Sequence, residues 1–416
     1  MKSVKRVALA GMALIATLVL VACGSGSSKS GANGKVSLSI NYYNGAISKG
    51  SIANAKKEFA DYDLQFKQIP ANEDFDTKLK ASLGSKSAPD ITAINSNIQD
   101  YIPYKEKFVN LTKYGTNKLA KEYVNWKWDS TFATKDYQIA MPIDIGPTAL
   151  MYSVANFKKA GLPTDPDVVS KMLATDEDYM NAAKQLKEKA NKPMFLSAVS
   201  LFQVYSRKLS KDLYKNGKLT LADGEFKEAW NFAVRAYKSG YTLGIKANSA
   251  DNVNAQTKNL YSSMVEASWG IADLDENGTK PDTWLIAKAP GKPSNYGGSY
   301  LAVLKTTDHP KEAAKVVTYL TNEKNQRVNY KELSLFPSYK AVYDDKFLNV
   351  THRLFGDEKY NKYFVESANT LKYVKADPRS STVQRIFEDQ LTLVSDQGKD
   401  PDTAWKDAVK KAQTVD

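Results

Sequence analysis

An α/β fold in two lobes of similar size is what this 416-residue sequence predicts. Three observations carry that expectation. The structured part opens with strand and helix periodicities in the order β-α-β-α-β, which favours a parallel sheet with helices on both faces. Helices with clear start signals then recur to the C-terminus. About 380 residues follow the leader and linker at the N-terminus, more than one core at roughly 100–200 residues per domain.

Taken in order, Val36, Leu38 and Ile40 alternate with Ser37 and Ser39, the period-2 pattern of a strand. Ile52, Ala55 and Phe59 follow at helical spacing, and Leu64 and Phe66 alternate as a second strand. Phe75, Leu79 and Leu83 recur every four residues on a second helix, and Asp90 to Ile94 reads as a third strand after Pro89. Thr175 with Asp178 resembles a capping box ahead of Tyr179, Met180, Ala183 and Leu186. Asp308-His309-Pro310 opens a helix with Ala313, Ala314, Val317 and Leu320 inward, His309 capping it. Pro401 opens the last helix, with Ala404, Trp405, Ala408, Val409 and Ala412 inward. There is no internal repeat.

Composition removes several classes of function. One cysteine excludes an internal disulfide framework and a multi-cysteine zinc site. Two histidines, His309 and His352, leave few routes to a histidine-rich metal centre or a conventional triad, and His352 is expected at the surface. Asp273 to Gly278 reproduces the D-x-D-x-N-G half of a calcium loop, but Trp284 stands where the bidentate Glu belongs, so a surface turn is expected. No cofactor or metal is expected. The net charge is +12, yet the lysines are scattered and no nucleic-acid motif accompanies them, so nucleic acid is not an expected partner.

The first 22 residues read as a signal peptide. Lys2, Lys5 and Arg6 precede the apolar run Val7 to Val21, which is shorter than the roughly 20 residues of a spanning helix. The run ends in Leu20-Val21-Ala22-Cys23, which resembles the lipobox of bacterial lipoproteins and implies a lipid on Cys23, the only cysteine. Residues 23–35 then form a Gly/Ser-rich tether, whose Gly24 to Gly34 span roughly 15–20 Å.

Across nearly the whole mature chain the sequence resembles the family 1 extracellular solute-binding proteins of ABC importers, the group that includes maltose-binding protein. The resemblance rests on Phe75-Asp76-Thr77-Lys78-Leu79, Ala88-Pro89-Asp90-Ile91, Met141-Pro142, Ala149-Leu150-Met151-Tyr152 and Phe157 to Pro163. It continues through Met264 to Gly270, Tyr296-Gly297-Gly298, Leu301-Ala302-Val303, the Pro310 helix, Phe336-Pro337-Ser338 and the Pro401 helix. Departures are Tyr152-Ser153, where members often read Tyr-Asn, and an extra acidic stretch from Asp165 to Leu173.

The resemblance implies a two-lobe, periplasmic-binding-protein-like fold with hinge strands and a ligand cleft between lobes. One lobe would take residues 36–145 plus 300–335, the other 146–299 plus 336–416. It further implies a monomeric, extracytoplasmic protein, held to the membrane by its lipid, that captures a mono- or oligosaccharide and delivers it to the permease subunits. It is not expected to be an enzyme. The alternatives are a binding protein for a non-sugar polar solute, an exported carbohydrate-active enzyme, or an adhesin or sensor on the same fold.

A sugar needs flat aromatics for its C–H faces and planar amides and carboxylates for its hydroxyls. Loops after the first and third strands would face the cleft and supply Tyr43, Asn44, Asn95 and Asn97. Tyr42 and Tyr43 point to opposite faces if the strand continues, so one of them is core and Tyr43 is the candidate. Asn44, Asn95 and Asn97 also suit plain turns. Trp269 matches the family's ligand-stacking Trp, with a core tryptophan as the rival. Asp144 sits at the first crossing between lobes, where a structural acceptor is the rival. Tyr296 and Gly298 would line the cleft, and Phe202 and Arg385 fall in second-lobe stretches that contact ligand in the family. Trp126 and Trp128 are expected to pack under the following hairpin.

Overall fold

The computed structural model describes residues 34–70, 74–247, 249–372 and 374–415. The expected signal peptide, the expected lipobox at Cys23 and nearly all of the expected tether lie outside them.

The first sheet has five strands. β1 (Val36–Tyr43), β2 (Tyr62–Ile69) and β3 (Ile91–Ile94) form its parallel part, joined by α1 (Lys49–Glu58) and α2 (Asp74–Ser82). β1 pairs β2 from Val36 opposite Tyr62 to Tyr43 opposite Ile69, and pairs β3 at Ile40 and Asn41. Crossover helices between parallel strands are what the alternating periodicity demands. After the short helix α3 (Asn125–Asp129) comes β4 (Ala140–Pro142), which closes the sheet on its far side.

The chain then leaves this sheet through β5 (Asp144–Ile145) and enters β6 (Thr148–Ser153), all of whose residues are buried. β6 is the centre of a three-stranded antiparallel sheet, between β7 (Ser263–Ala267) and β8 (Trp284–Lys288). Successive side chains on a strand point to opposite faces. β6 uses that alternation to serve two cores. Leu150 and Tyr152 join Phe157, Leu186, Phe202, Phe226, Trp230 and Phe387 on one face. Ala149 and Met151 join Trp284, Phe336, Phe347 and Phe364 on the other. A strand buried on both faces has no polar side to show, hence Thr-Ala-Leu-Met-Tyr-Ser.

From β8 the chain returns through 295–299 to β9 (Tyr300–Val303), which inserts antiparallel between β3 and β4 of the first sheet. It crosses once more at β10 (Phe336–Pro337), which pairs β5. Three segments thus cross side by side, tied by Ile143 N–H to Ser299 C=O at 2.9 Å and Tyr296 N–H to Gly146 C=O at 2.7 Å.

The helices around these sheets follow their end signals. Asp176–Ala190 carries the capping box, Thr175 Oγ1 accepting from Asp178 N–H while the Asp178 carboxylate accepts from Thr175 N–H. Ala198–Ser206 and Ser380–Gln397 pack together, and Pro401–Ala412 lies against the latter. The acidic departure from Asp165 to Leu173 holds the short helix Pro166–Met172, capped by Asp165 with Pro166 in its first turn. Two expectations change. His309 occupies the N-cap of Pro310–Leu320 but its side chain makes no capping bond. Asp273 to Glu276 belong to the helix Gly270–Glu276, not to a turn, so the half-motif has no loop to wrap a cation.

Candidate functional site

A cleft of about 440 Å³ opens between the two sheets. One wall is Ser96–Asp100, the chain just past the carboxyl end of β3, with Trp126 from α3 beside it. The opposite wall holds Arg207, at the end of Ala198–Ser206, and the first turns of Ser380–Gln397, including Ser381, Arg385 and Glu388. Asn295, Tyr296, Gly297 and Tyr300 come from the crossing segment between them. Strand carboxyl ends at a change of chain direction are the usual place for such a site.

A hydrogen bond joins the walls. Ser381 Oγ donates to the Asp100 carboxylate at 3.0 and 3.2 Å, a bond across 281 residues of sequence. Lys80 Nζ holds the same carboxylate at 3.2 Å. Asn97 Nδ2 donates to Asp76 at 2.8 Å and to Asp100 at 3.4 Å, and Tyr101 Oη donates to Asp76 at 2.7 Å. The first-sheet wall is therefore a fixed polar network, and Asn97 Oδ1 is a buried acceptor without a donor among the described residues.

Aromatic surface comes from Tyr296 and Trp126 in the lining, with Trp269 packed beside it. The Arg207 guanidinium lies over the Tyr296 ring, 4.3 Å from its centroid. The edge of the half-buried Trp269 indole presses on Gly146 and Gly297. A Cβ would sit 2.6 Å from Trp269 Cη2 at Gly146 and 3.0 Å at Gly297, so only glycine leaves room for the ring there. Glu266 Oε1, just upstream on β7, accepts from Ala267 N–H at 2.9 Å. Burial pushes its carboxyl up to about 7, against the opposing effect of the Ala267 N–H.

Behind the cleft lies a polar hinge. Asp144 Oδ1 accepts from Ser299 N–H at 2.6 Å, and the Tyr43 and Ser299 hydroxyls share a short hydrogen bond. Lys127 is fully buried beside them, its Nζ 3.4 Å from the Tyr300 ring centroid. Burial pulls its amine down to about 7, opposed by Asp144, and burial likewise raises the Asp144 carboxyl, opposed by Lys127.

The ten candidates thus separate. Asn97, Tyr296 and Arg385 line the cleft. Trp269 flanks it through Gly297. Tyr43, Asp144 and Gly298 sit in the hinge, where Gly298, at φ +108°, backs onto the Asp144 carbonyl. Tyr43 is buried, as is Tyr42, because β1 is covered on both faces. Asn44 and Asn95 are exposed and outside the cleft lining. Asn44 Oδ1 accepts from Gln68 at 2.9 Å, and Asn95 Oδ1 caps its own turn at Ser96 N–H. Phe202 is fully buried, edge-on to Trp230 at 5.9 Å, on the core face of its helix. Trp126 reverses its expectation by lining the cleft, while Trp128 stacks on Tyr123 in the core. Asp100, Arg207 and Ser381 carry no local sequence signal.

Residues 51–353, most of the chain, match the bacterial extracellular solute-binding protein family. The chain belongs to that family. Among relatives of this solute-binding protein is the multiple sugar-binding protein of Streptococcus mutans, 22% identical over 407 residues, covering 86% of this chain and 89% of the relative. A crystal structure of an extracellular solute-binding protein of family 1 superposes with a TM-score of 0.83 at 27% identity, covering 91% of this chain and 98% of that one. The ABC-transporter-associated binding protein of B. animalis subsp. lactis, solved with β-1,6-galactobiose, superposes at 0.75 with 20% identity over the same shares. The mixed helix and strand architecture is the two-lobe fold of these binding proteins.

Proposed function

We propose that this chain is the substrate-binding lipoprotein of an ABC importer, capturing a mono- or oligosaccharide in the cleft and delivering it to the permease. Residues 36–145 plus 300–335 form one lobe, and 146–299 plus 336–416 the other. The signal peptide exports the chain, and Cys23 anchors it outside the cytoplasmic membrane. The carrying observation is the cleft's composition: aromatic surface at Tyr296 and Trp126, and amides, hydroxyls and charged forks at Asn97, Ser381, Arg385 and Glu388, with Trp269 against Gly297 at its edge. The relatives' names support the same class of solute.

Closure follows from contacts made on both walls. A ligand touching Asn97 on one side and Arg385 on the other favours the closed state by its differential affinity, and the Asp100–Ser381 bond adds to that state. No step of bond-making or bond-breaking is assigned to the cleft.

The test is a thermal-shift screen of the chain from Gly24 onward against mono- and oligosaccharides, starting with β-1,6-galactobiose. A sugar at about 100 times its dissociation constant adds roughly 2.7 kcal/mol of stability. A shift that vanishes in Trp269→Ala supports both the sugar and the stacking role. A flat sugar panel with a shift from polyols, amino acids or peptides replaces the sugar and keeps the transport role.

A further inference from the structure

The carboxylates that line the cleft are already occupied by donors of the protein itself. Asp100 is held by Lys80, Asn97 and Ser381. Asp212 accepts from the Tyr214 and Asp377 N–H groups at 3.2 and 2.9 Å and from Ser380 Oγ at 2.7 Å. Asp377 pairs with Arg379 at 2.8 Å. Glu388 accepts from the Gln203 and Gln384 amides at 2.9 and 2.7 Å.

The cations of the lining are in a different position. Lys211 pairs with Asp223 at 3.0 Å, but Arg207, Lys372 and Arg385 have no ion pair among the described residues. Arg207 donates to the Gln203 carbonyl at 2.5 Å and lies over the Tyr296 ring. Lys372 and Arg385 are exposed and make no hydrogen bond either among the described residues. Arg385 stands one turn after Ser381 on the same face of Ser380–Gln397, and Ser381 is the residue that reaches the opposite wall. Its guanidinium therefore brings five N–H donors to the space between the walls with no carboxylate to meet them.

We propose that the solute is an acidic saccharide, one that contains a uronic acid, and that Arg385 takes its carboxylate. The flat fork of a guanidinium matches the two oxygens of a carboxylate, and a bond between charged partners is roughly twice as strong as one between neutral groups. Lys372, just past the helix Asn361–Thr370, adds a second positive charge to the lining. Tyr296 and Trp126 offer their rings to the C–H faces of the sugar. A neutral sugar could engage the same donors only through its hydroxyls and would leave the positive charge unmatched. The inference narrows the sugar reading of the cleft and rests on it.

The test is calorimetry on the chain from Gly24 onward with matched pairs of sugars: digalacturonate against digalactose, dimannuronate against mannobiose, and cellobiouronate against cellobiose. In at least one pair the acidic member should bind about tenfold or more tightly than its neutral partner. That ratio should shrink between about 0.1 and 1 M NaCl, because the pair is open to solvent. In Arg385→Gln it should fall below about twofold, with Tm unchanged because the side chain is exposed and unbonded. Lys372→Gln should lower it by a smaller factor. Neutral sugars that bind as tightly as their acidic partners, or a preference that survives Arg385→Gln, overturn the carboxylate assignment and leave the sugar reading standing. If no member of any pair binds, the sugar reading falls and this inference falls with it.

Discussion

Replacing Gly298 by alanine tests the hinge geometry most directly. Gly298 has φ +108°, and a Cβ there would lie 2.5 Å from the Asp144 carbonyl oxygen and 2.9 Å from Ile145 Cα. Both are backbone atoms of β5, which is itself paired to β10, so neither can turn aside. The third contact, Lys127 Nζ at 2.9 Å, belongs to a buried side chain. Left-handed backbone costs an L-residue about 1–2 kcal/mol, and overpacking about 1–3 kcal/mol more. Gly298→Ala should therefore lose about 2–5 kcal/mol. At about 2 cal/mol/K per residue over about 380 residues, that lowers Tm by roughly 3–6 °C. The control is Gly398→Ala, at φ +69° with nothing near its Cβ, which isolates the backbone strain. Scanning calorimetry of the two variants against wild type gives the comparison. If Gly298→Ala melts no lower than Gly398→Ala, the close approach between crossing segments is not a packing constraint and the hinge argument fails.

Other outcomes follow from the same contacts. Ser381→Ala removes the bond to Asp100 across the cleft, a charge-assisted one, and should weaken sugar affinity roughly tenfold with little change in Tm, read by calorimetry. Phe202→Ala should cost about 3–5 kcal/mol in denaturant unfolding while the folded protein keeps its affinity, since the ring is core and not lining. Lys127 has a folded-state amine near 7, below its ordinary 10.5, so the unfolded chain binds the extra proton between those values and its contribution to stability rises with pH there. The stability of wild type from urea unfolding should gain on that of Lys127→Met between pH 7 and 9, by at most about 1.4 kcal/mol per pH unit. Thr175→Ala breaks the capping box of Asp176–Ala190 and should lose about 1 kcal/mol, measured by thermal melting.

What the sequence made legible was periodic or terminal. The alternation Val36, Leu38, Ile40 and the spacing Phe75, Leu79 became β1 and α2, and the Thr175–Asp178 signal became a capping box. These are local facts, decided within one turn or one pleat. Cleft lining is decided by which residues meet across hundreds of positions, and local pattern does not hold that information. Asn97 and Asn95 are the same residue type two positions apart, yet one turns to Asp76 and the other to its own loop. Phe202 lies one helical turn before Arg207, but the ring faces Trp230 while the guanidinium reaches Tyr296. Tyr43 lies in the hinge, where its hydroxyl meets Ser299 from a distant crossing segment and its ring meets Phe75.

The order in which the chain is threaded has a consequence for its biogenesis. β9 enters the first sheet between β3 and β4 after more than a hundred intervening residues, and Ser381 reaches Asp100 across 281. No nascent segment can finish the N-terminal sheet before Tyr300–Val303 has been made, and the cleft waits for the helices beyond it. Long loops must close before these contacts reward them, which slows premature collapse. A chain that stays incomplete until its last fifth is synthesised suits passage through a secretion channel, where early folding would stall it.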